Sequence, residues 1–206
     1  MKWVDKYRPK CLDDIVGHDD EMKIIKRMMN NGGLPNIILI GPPGTGKTAT
    51  AHAIANQVLE GEMAGNFTEL NGSDDRTYAI RKLAIDAARC MPLNGKLRVF
   101  FVDESDGLAR DTQEALRQPL QNSGKTLFIF TANRKEEFIP PLLSRFMNFE
   151  FNELTPKDIL KRLKTICDAE GLTGAIKPAR LKQIVAKSGG DMRMAINELQ
   201  KEAMLL

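Results

Sequence analysis

Five segments have the length and pattern of strands: Ile37 to Ile40, Phe67 to Leu70, Leu97 to Val102, Thr126 to Thr131, and Met147 to Phe151, the last alternating in polarity. Between them the spacing changes to that of one-sided helices. Met22, Ile25, Met28 and Met29 precede the first run; Ala51, Ile54, Ala55, Val58 and Leu59 follow it. Ile80, Leu83, Ala84 and Ala87 follow the second run, and Ala115, Leu116 and Leu120 follow the third. Strands alternating with helices predict an α/β fold with a five-stranded, mostly parallel, doubly wound sheet. Asp111-Thr112-Gln113-Glu114 resembles a capping box, and Pro119 is expected to end or kink the helix it opens. At Thr155-Pro156-Lys157-Asp158 the pattern changes: a cap residue, a first-turn proline and an acid open a purely helical region. Ile159, Leu160, Leu163 and Ile166, then Leu181, Ile184 and Val185, then Met192, Ala195, Ile196 and Leu199 mark its helices, with Gly171 and Gly189-Gly190 between them. The expected division is an α/β domain over 1–153 and a small three-helix lid over 154–206.

Between the first strand and its helix lie Gly41-Pro42-Pro43-Gly44-Thr45-Gly46-Lys47-Thr48. They fit GxxxxGK[ST], in which backbone N–H groups close around phosphates, the lysine reaches the terminal phosphates and the hydroxyl coordinates Mg2+. The helix N-terminus adds a positive field. Strand, loop and helix in that order predict a nucleoside triphosphate site. Asp103 and Glu104 close the third strand, where ligands bind in open α/β sheets. In P-loop ATPases the first acid holds Mg2+ and the second polarises the attacking water; capping the next helix is the alternative. Asn133, just past the fourth strand, offers a donor and an acceptor to water or a γ-phosphate, or simply forms a turn. Arg193 sits in a helix first turn, where a cation opposes the dipole; an anionic ligand would remove that conflict, and a solvated arginine is the alternative. Val4, Tyr7, Ile15 and Val16 read either as packing residues or as a wall for a base.

The chain has 206 residues, 42% hydrophobic and 28% charged, enough for one sizeable core and a small second domain. No apolar run approaches the roughly 18 residues of a membrane span, and the polar start lacks the apolar stretch of a signal peptide. The expectation is a cytoplasmic protein with no membrane partner. Cys11, Cys90 and Cys167 are too scattered for a CxxC pair, which points to reduced thiols. A net charge of +3 is too small to signal nucleic-acid binding in bulk, so such a contact needs a local cluster.

Six motifs together resemble the small subunits of AAA+ sliding-clamp loaders, the replication factor C type. They are Trp3-Val4-Asp5-Lys6-Tyr7-Arg8-Pro9, Gly41 to Thr48, Leu70-Asn71-Gly72-Ser73-Asp74-Asp75-Arg76, Phe101-Val102-Asp103-Glu104, Leu142-Leu143-Ser144-Arg145 and Gly190-Asp191-Met192-Arg193. The resemblance implies that Val4, Arg8 and Val16 border the adenine and sugar of ATP, that Lys47 and Thr48 meet phosphates and metal, and that Asp103 holds Mg2+ while Glu104 acts on the water. It makes Asn133 and Arg193 the two sensors, Asn71 the polar partner that restrains Glu104, and Arg145 an arginine finger acting in trans on a neighbouring subunit's ATP. Implied partners are other clamp-loader subunits, a sliding clamp and primer-template DNA, contacted through Arg76 and Arg81, with Lys82 and Arg110 as weaker candidates. The location implied is cytoplasmic, or nuclear in a eukaryote. Family members carry a helical collar after the lid; this sequence stops at Leu206, so the expectation is a subunit without a collar and weakly active alone. The stretch from Ser73 to Arg81 reads one residue shorter than in many members, and Phe146, Ser105 and Pro119 depart from the family pattern. An ATP-binding structural subunit with little turnover, or another AAA+ replication remodeller, are the alternative functions.

Overall fold

The computed structural model describes residues 1–73, 77–89 and 97–205. Strands β1 (Ile37–Ile40), β2 (Phe67–Asn71), β3 (Arg98–Asp103), β4 (Thr126–Ala132) and β5 (Met147–Glu150) form one sheet in the order β2-β3-β4-β1-β5. Every pairing is parallel. Side chains alternate across the sheet, which explains the unbroken apolar runs, because both faces are covered. Ile38, Ile40, Phe100, Val102, Phe128 and Phe130 pack with residues of α4 (Thr77–Arg89) and α5 (Arg110–Gln121). Ile37, Leu39, Val99, Phe101, Leu127 and Ile129 pack with residues of α2 (Asp19–Asn30) and α3 (Lys47–Val58). The chain leaves β1 for the far edge at β2 and leaves β4 for the opposite edge at β5. The loops after β1 and β4 therefore diverge, and a crevice opens at the carboxyl ends of these neighbours.

Two local details differ from the sequence reading. Helix α5 begins at Arg110, with Ala109 in the cap position and no side-chain cap. The Ala109 carbonyl already accepts from Thr112 and Gln113 N–H at 3.0 Å each, so Asp111 lies inside the first turn rather than capping it. The helix also runs past Pro119 to Gln121, although the proline, buried in the last turn, has no N–H to donate to the Ala115 carbonyl. A short helix, α6 (Pro140–Leu143), then precedes β5.

Three helices follow the sheet: α7 (Pro156–Ala169), α8 (Pro178–Ser188) and α9 (Met192–Ala203). Thr155 caps α7 by accepting the Asp158 N–H, and Asp191 caps α9 by accepting the Met194 N–H at 2.9 Å. Their separate core contains Ile159, Leu163, Ile166, Leu181, Ile184 and Leu199. The opening helix α1 (Trp3–Lys6) joins this core, with Trp3, Val4 and Tyr7 packed against it. The Trp3 N–H donates to Gln200 Oε1 at 2.9 Å, and Lys6 and Tyr7 both donate to Glu170, at 2.6 and 2.7 Å. The N-terminus thus forms a strap across the lid. Among the described residues no helix is long and apolar enough to cross a membrane.

Gln113 fixes the turn after β4. Buried at 2% exposure, its amide donates to the Leu108 and Glu137 carbonyls at 3.0 and 2.9 Å and accepts the Ile139 N–H at 2.9 Å. Leucine would fill similar volume while leaving three backbone groups without that partner. Gln113→Leu is expected to lower stability by about 2–4 kcal/mol, read as a fall in urea midpoint at unchanged slope.

Candidate functional site

The crevice between β1 and β4 is lined by the P-loop, the strand ends, the N-terminal strap and the lid. Gly44 shows how tightly these parts meet: its φ is +76°, a Cβ there would overlap the Asp191 carboxylate, and its carbonyl accepts the Met192 N–H at 3.0 Å. The P-loop is therefore in direct contact with the start of α9. Lys47 is 7% exposed, and its ammonium donates to the Gly41 and Pro42 carbonyls at 2.7 Å each and to Asn133 Oδ1 at 3.1 Å. Burial lowers its pKa to about 8, against the opposing pull of the Asp103 and Asp106 charges.

The acid pair sits beside it. The Thr48 hydroxyl donates to Asp103, 3.1 Å from either carboxylate oxygen. The Thr131 hydroxyl, from β4, donates to Asp103 Oδ1 and accepts the Glu104 N–H at 3.1 Å. Glu104 has left-handed backbone angles, φ 51° and ψ 42°, which for a residue with a Cβ costs about 1–2 kcal/mol. Its carboxylate is 3.4 Å from the Asn71 amide nitrogen that donates to it, and the Asn133 N–H donates to Asp106 at 3.3 Å. Hydroxyl and carboxylate oxygens converging in a cleft beside a buried lysine are the hard donors that Mg2+ selects, so Thr48 and Asp103 fit that ion. Val4, Arg8 and Val16 also line the crevice, together with Tyr7 and Ile15, and Arg193 reaches it from the lid with Met192 and Ile196. Pro43 to Thr48 line it too, while Gly41 and Pro42 present the carbonyls that hold Lys47.

Residues 37–154 match the model of the ATPase family associated with various cellular activities (AAA). The chain belongs to the AAA family. It is 38% identical to the replication factor C small subunit of Archaeoglobus fulgidus over 206 residues, covering 98% of this chain and 64% of that one. Against the replication factor C small subunit of Thermofilum pendens it is 38% identical over 201 residues, covering 96% and 61%. The AAA chain thus spans somewhat under two thirds of these relatives' length. Solved structures of Thermotoga maritima RuvB share the fold: the one described as a Holliday junction branch migration motor matches with TM-score 0.74 at 22% identity, covering 94% of this chain and 64% of that one.

Not every site candidate of this AAA chain lies in the crevice. Arg145 is outside it, its guanidinium donating to the Pro141 carbonyl and, at 3.3 Å, to Gln121 Oε1. Lys82 on α4 and Arg110 at the start of α5 are exposed, on helices that pack together. Arg76 and the side chain of Arg81 fall outside the described residues. Among the residues that line or brace the crevice, Arg162, Thr131 and His18 were not singled out as site residues in the sequence. Arg162 of α7 lines the crevice and donates to the Tyr7 carbonyl at 2.6 Å, which ties lid to strap; nothing in its surface-helix pattern marks it. Thr131 follows the apolar run Leu127 to Phe130 near the end of β4, and a hydroxyl at that point was the available signal. His18, between Gly17 and the first turn of α2, donates through Nε2 to the Thr45 carbonyl at 3.1 Å and packs on Phe151 with ring centroids 4.3 Å apart.

Burial lowers the pKa of His18 below its ordinary 6.5, partly offset by the Thr45 carbonyl and by Glu21, Asp158 and Asp19. The unfolded chain therefore binds the proton first as pH falls below 6.5, and the native state loses stability there. Compared with His18→Gln, the wild-type chain is expected to lose additional unfolding free energy as pH drops below about 6.5, with a constant difference above neutrality; urea titrations of both across this range check it.

Proposed function

We propose that this chain is an ATP-binding and ATP-hydrolysing subunit of a sliding-clamp loader. Its similarity to replication factor C small subunits over nearly the whole chain supports the assignment. The observation that carries the chemistry is the meeting of Lys47, Thr48, Asp103, Glu104 and Asn133 at adjoining strand ends, with Arg193 facing them from the lid. Each residue then has a task. Lys47 leaves the Gly41 and Pro42 carbonyls for the terminal phosphates, where its charge is better matched. Thr48 and Asp103 are the residues to hold Mg2+, which when bound neutralises charge on the β- and γ-phosphates. Glu104 orients and polarises the attacking water, Asn133 senses the γ-phosphate, and the Asn71 amide restrains Glu104 until it is released. Val4, Arg8 and Val16 border the base and sugar, and Arg193 adds positive charge from the lid.

Arg145 does not face its own crevice, so its proposed partner is the ATP of a neighbouring subunit, where an arginine finger contributes about 10³–10⁵ in rate. ATP sites then lie between subunits. In this reading ATP assembles a ring holding an open clamp, primer-template DNA triggers hydrolysis, and the clamp closes on DNA. Exposed Lys82 and Arg110 are available for phosphate contacts. A replication role places the chain in the cytoplasm, or in the nucleus of a eukaryote.

Lys47→Ala is expected to abolish tight ATP binding measured by calorimetry; retained affinity would overturn the site. Mixing Arg145→Ala chains with Glu104→Gln chains, each inactive alone, is expected to restore hydrolysis at interfaces that pair an intact Arg145 with an intact Glu104. Equal inactivity in pure and mixed samples, with the subunits assembled, would rule out action in trans.

A further inference from the structure

Thr131 is 1% exposed where the ends of β3 and β4 meet. A hydroxyl has one proton to donate and lone pairs to accept with. Here the proton goes to Asp103 Oδ1, which leaves the lone pairs for the Glu104 N–H at 3.1 Å. The carbonyl of the same residue accepts the Ser105 hydroxyl at 2.7 Å, so three consecutive residues after β3's apolar run are tied to one residue of the neighbouring strand. Glu104 has left-handed backbone angles, and its N–H needs a partner at the point where the ladder of β3 ends. Asp103 is held from two sides, by Thr131 and by the Thr48 hydroxyl of α3 at 3.1 Å. Only one of those holds can persist if Thr48 turns to a metal ion.

We infer that Thr131 is a positioning residue for the acid pair: one hydroxyl on β4 sets the Asp103 carboxylate and holds the left-handed turn at Glu104, so the two acids are oriented as a unit. The inference rests on the proposed roles of Asp103 as metal holder and Glu104 as the residue that acts on water. Thr131 touches neither nucleotide nor metal in this scheme; it acts through the acids. Once Thr48 is drawn away, the Thr131 bond is the one that keeps Asp103 in place. A buried hydroxyl supporting a metal-binding carboxylate is the kind of outer partner whose loss weakens metal binding by about 10- to 100-fold.

The test uses the full chain and a non-hydrolysable ATP analogue, with affinity measured by calorimetry in Mg2+ and again in EDTA. The ratio of the two affinities is the readout, because a residue that only supports the fold leaves it unchanged. Thr131→Val, which keeps the shape and removes the hydroxyl, is expected to cut the gain from Mg2+ by about tenfold or more while leaving the metal-free affinity in place. Thr131→Ser is expected to restore the gain. Where the valine variant does not fold, Thr131→Ala gives the same comparison. A lower melting temperature with the wild-type Mg2+ gain intact would make Thr131 merely structural and overturn the inference. A wild-type chain that binds the analogue with no gain from Mg2+ would also overturn it, while leaving the nucleotide site standing. A wild-type chain that does not bind the analogue at all would remove the proposed site, and this inference with it.

Discussion

The parallel register of the sheet is the constraint on which the site depends. Asn71 pairs with Asp103, Val102 with Phe130, and Ile40 with both Ala132 and Glu150, so the strands end nearly level. Because side chains alternate, this register places Asp103 beside Thr131 and gives both the same face. It also carries the ladder one step into the loops: Gly41 N–H donates to Ala132 at 3.1 Å and Gly72 N–H to Asp103 at 2.7 Å. A slip of one residue would turn the acid and the threonine to opposite faces while also exposing the phenylalanines of β3 and β4 to the wrong layer. The apolar packing that makes the sheet is thus the same force that aligns the polar ends. Phe100, Phe101, Phe128 and Phe130 are all fully buried, and they hold the register that the acids need.

The second layer of organisation is closure across sequence distance. The strap around Tyr7, the P-loop at Gly44 and the lid at Asp191 come together although they lie far apart in the sequence. The Arg162 guanidinium holds the Tyr7 carbonyl, Glu170 collects Lys6 and Tyr7, and Asp191 both caps α9 and abuts Gly44. Any rotation of α9 must therefore be felt at the P-loop, and any shift of the strap must be felt at the lid. Gly72 provides a similar close approach on the other side: a Cβ there would lie 2.7 Å from the Glu104 carbonyl oxygen. The loop after β2 and the turn at Glu104 consequently move together or not at all, which gives Asn71 a fixed position relative to the carboxylate it contacts.

Much of this was legible in the sequence, and the reasons differ by element. The inner strands β1, β3 and β4 announced themselves because burial on both faces demands continuous apolar residues, and the lid helices because of their apolar spacing and the Thr155 start. The P-loop and the acids were legible because their chemistry fixes residue type and spacing. What was missed depends on contacts between distant segments. Arg162 sits on a helix whose pattern is ordinary, and its value lies in reaching the strap. The packing of α1 on the lid could not be read from a short segment with a few apolar residues. The start of α5 was misplaced because the Asp-Thr-Gln-Glu pattern is a plausible cap, while backbone bonds to Ala109 begin the helix earlier and Gln113 is needed for the buried clasp on Glu137 and Ile139.

Lys47 shows why such a site is poised for a polyanion. A pKa lowered from 10.5 to about 8 means that burial makes the protonated amine about 3 kcal/mol less favourable than in water, even with two backbone carbonyls and an amide oxygen around it. Neutral carbonyl dipoles satisfy the ammonium's hydrogen bonds without balancing its charge. The Asp103 and Asp106 charges pull the pKa back up but do not offset the burial. A triphosphate at the P-loop supplies the missing charge in a place where the dielectric is low and the N-terminus of α3 already points its free N–H groups. The buried lysine is thus held in this fold at a cost that a bound phosphate reverses.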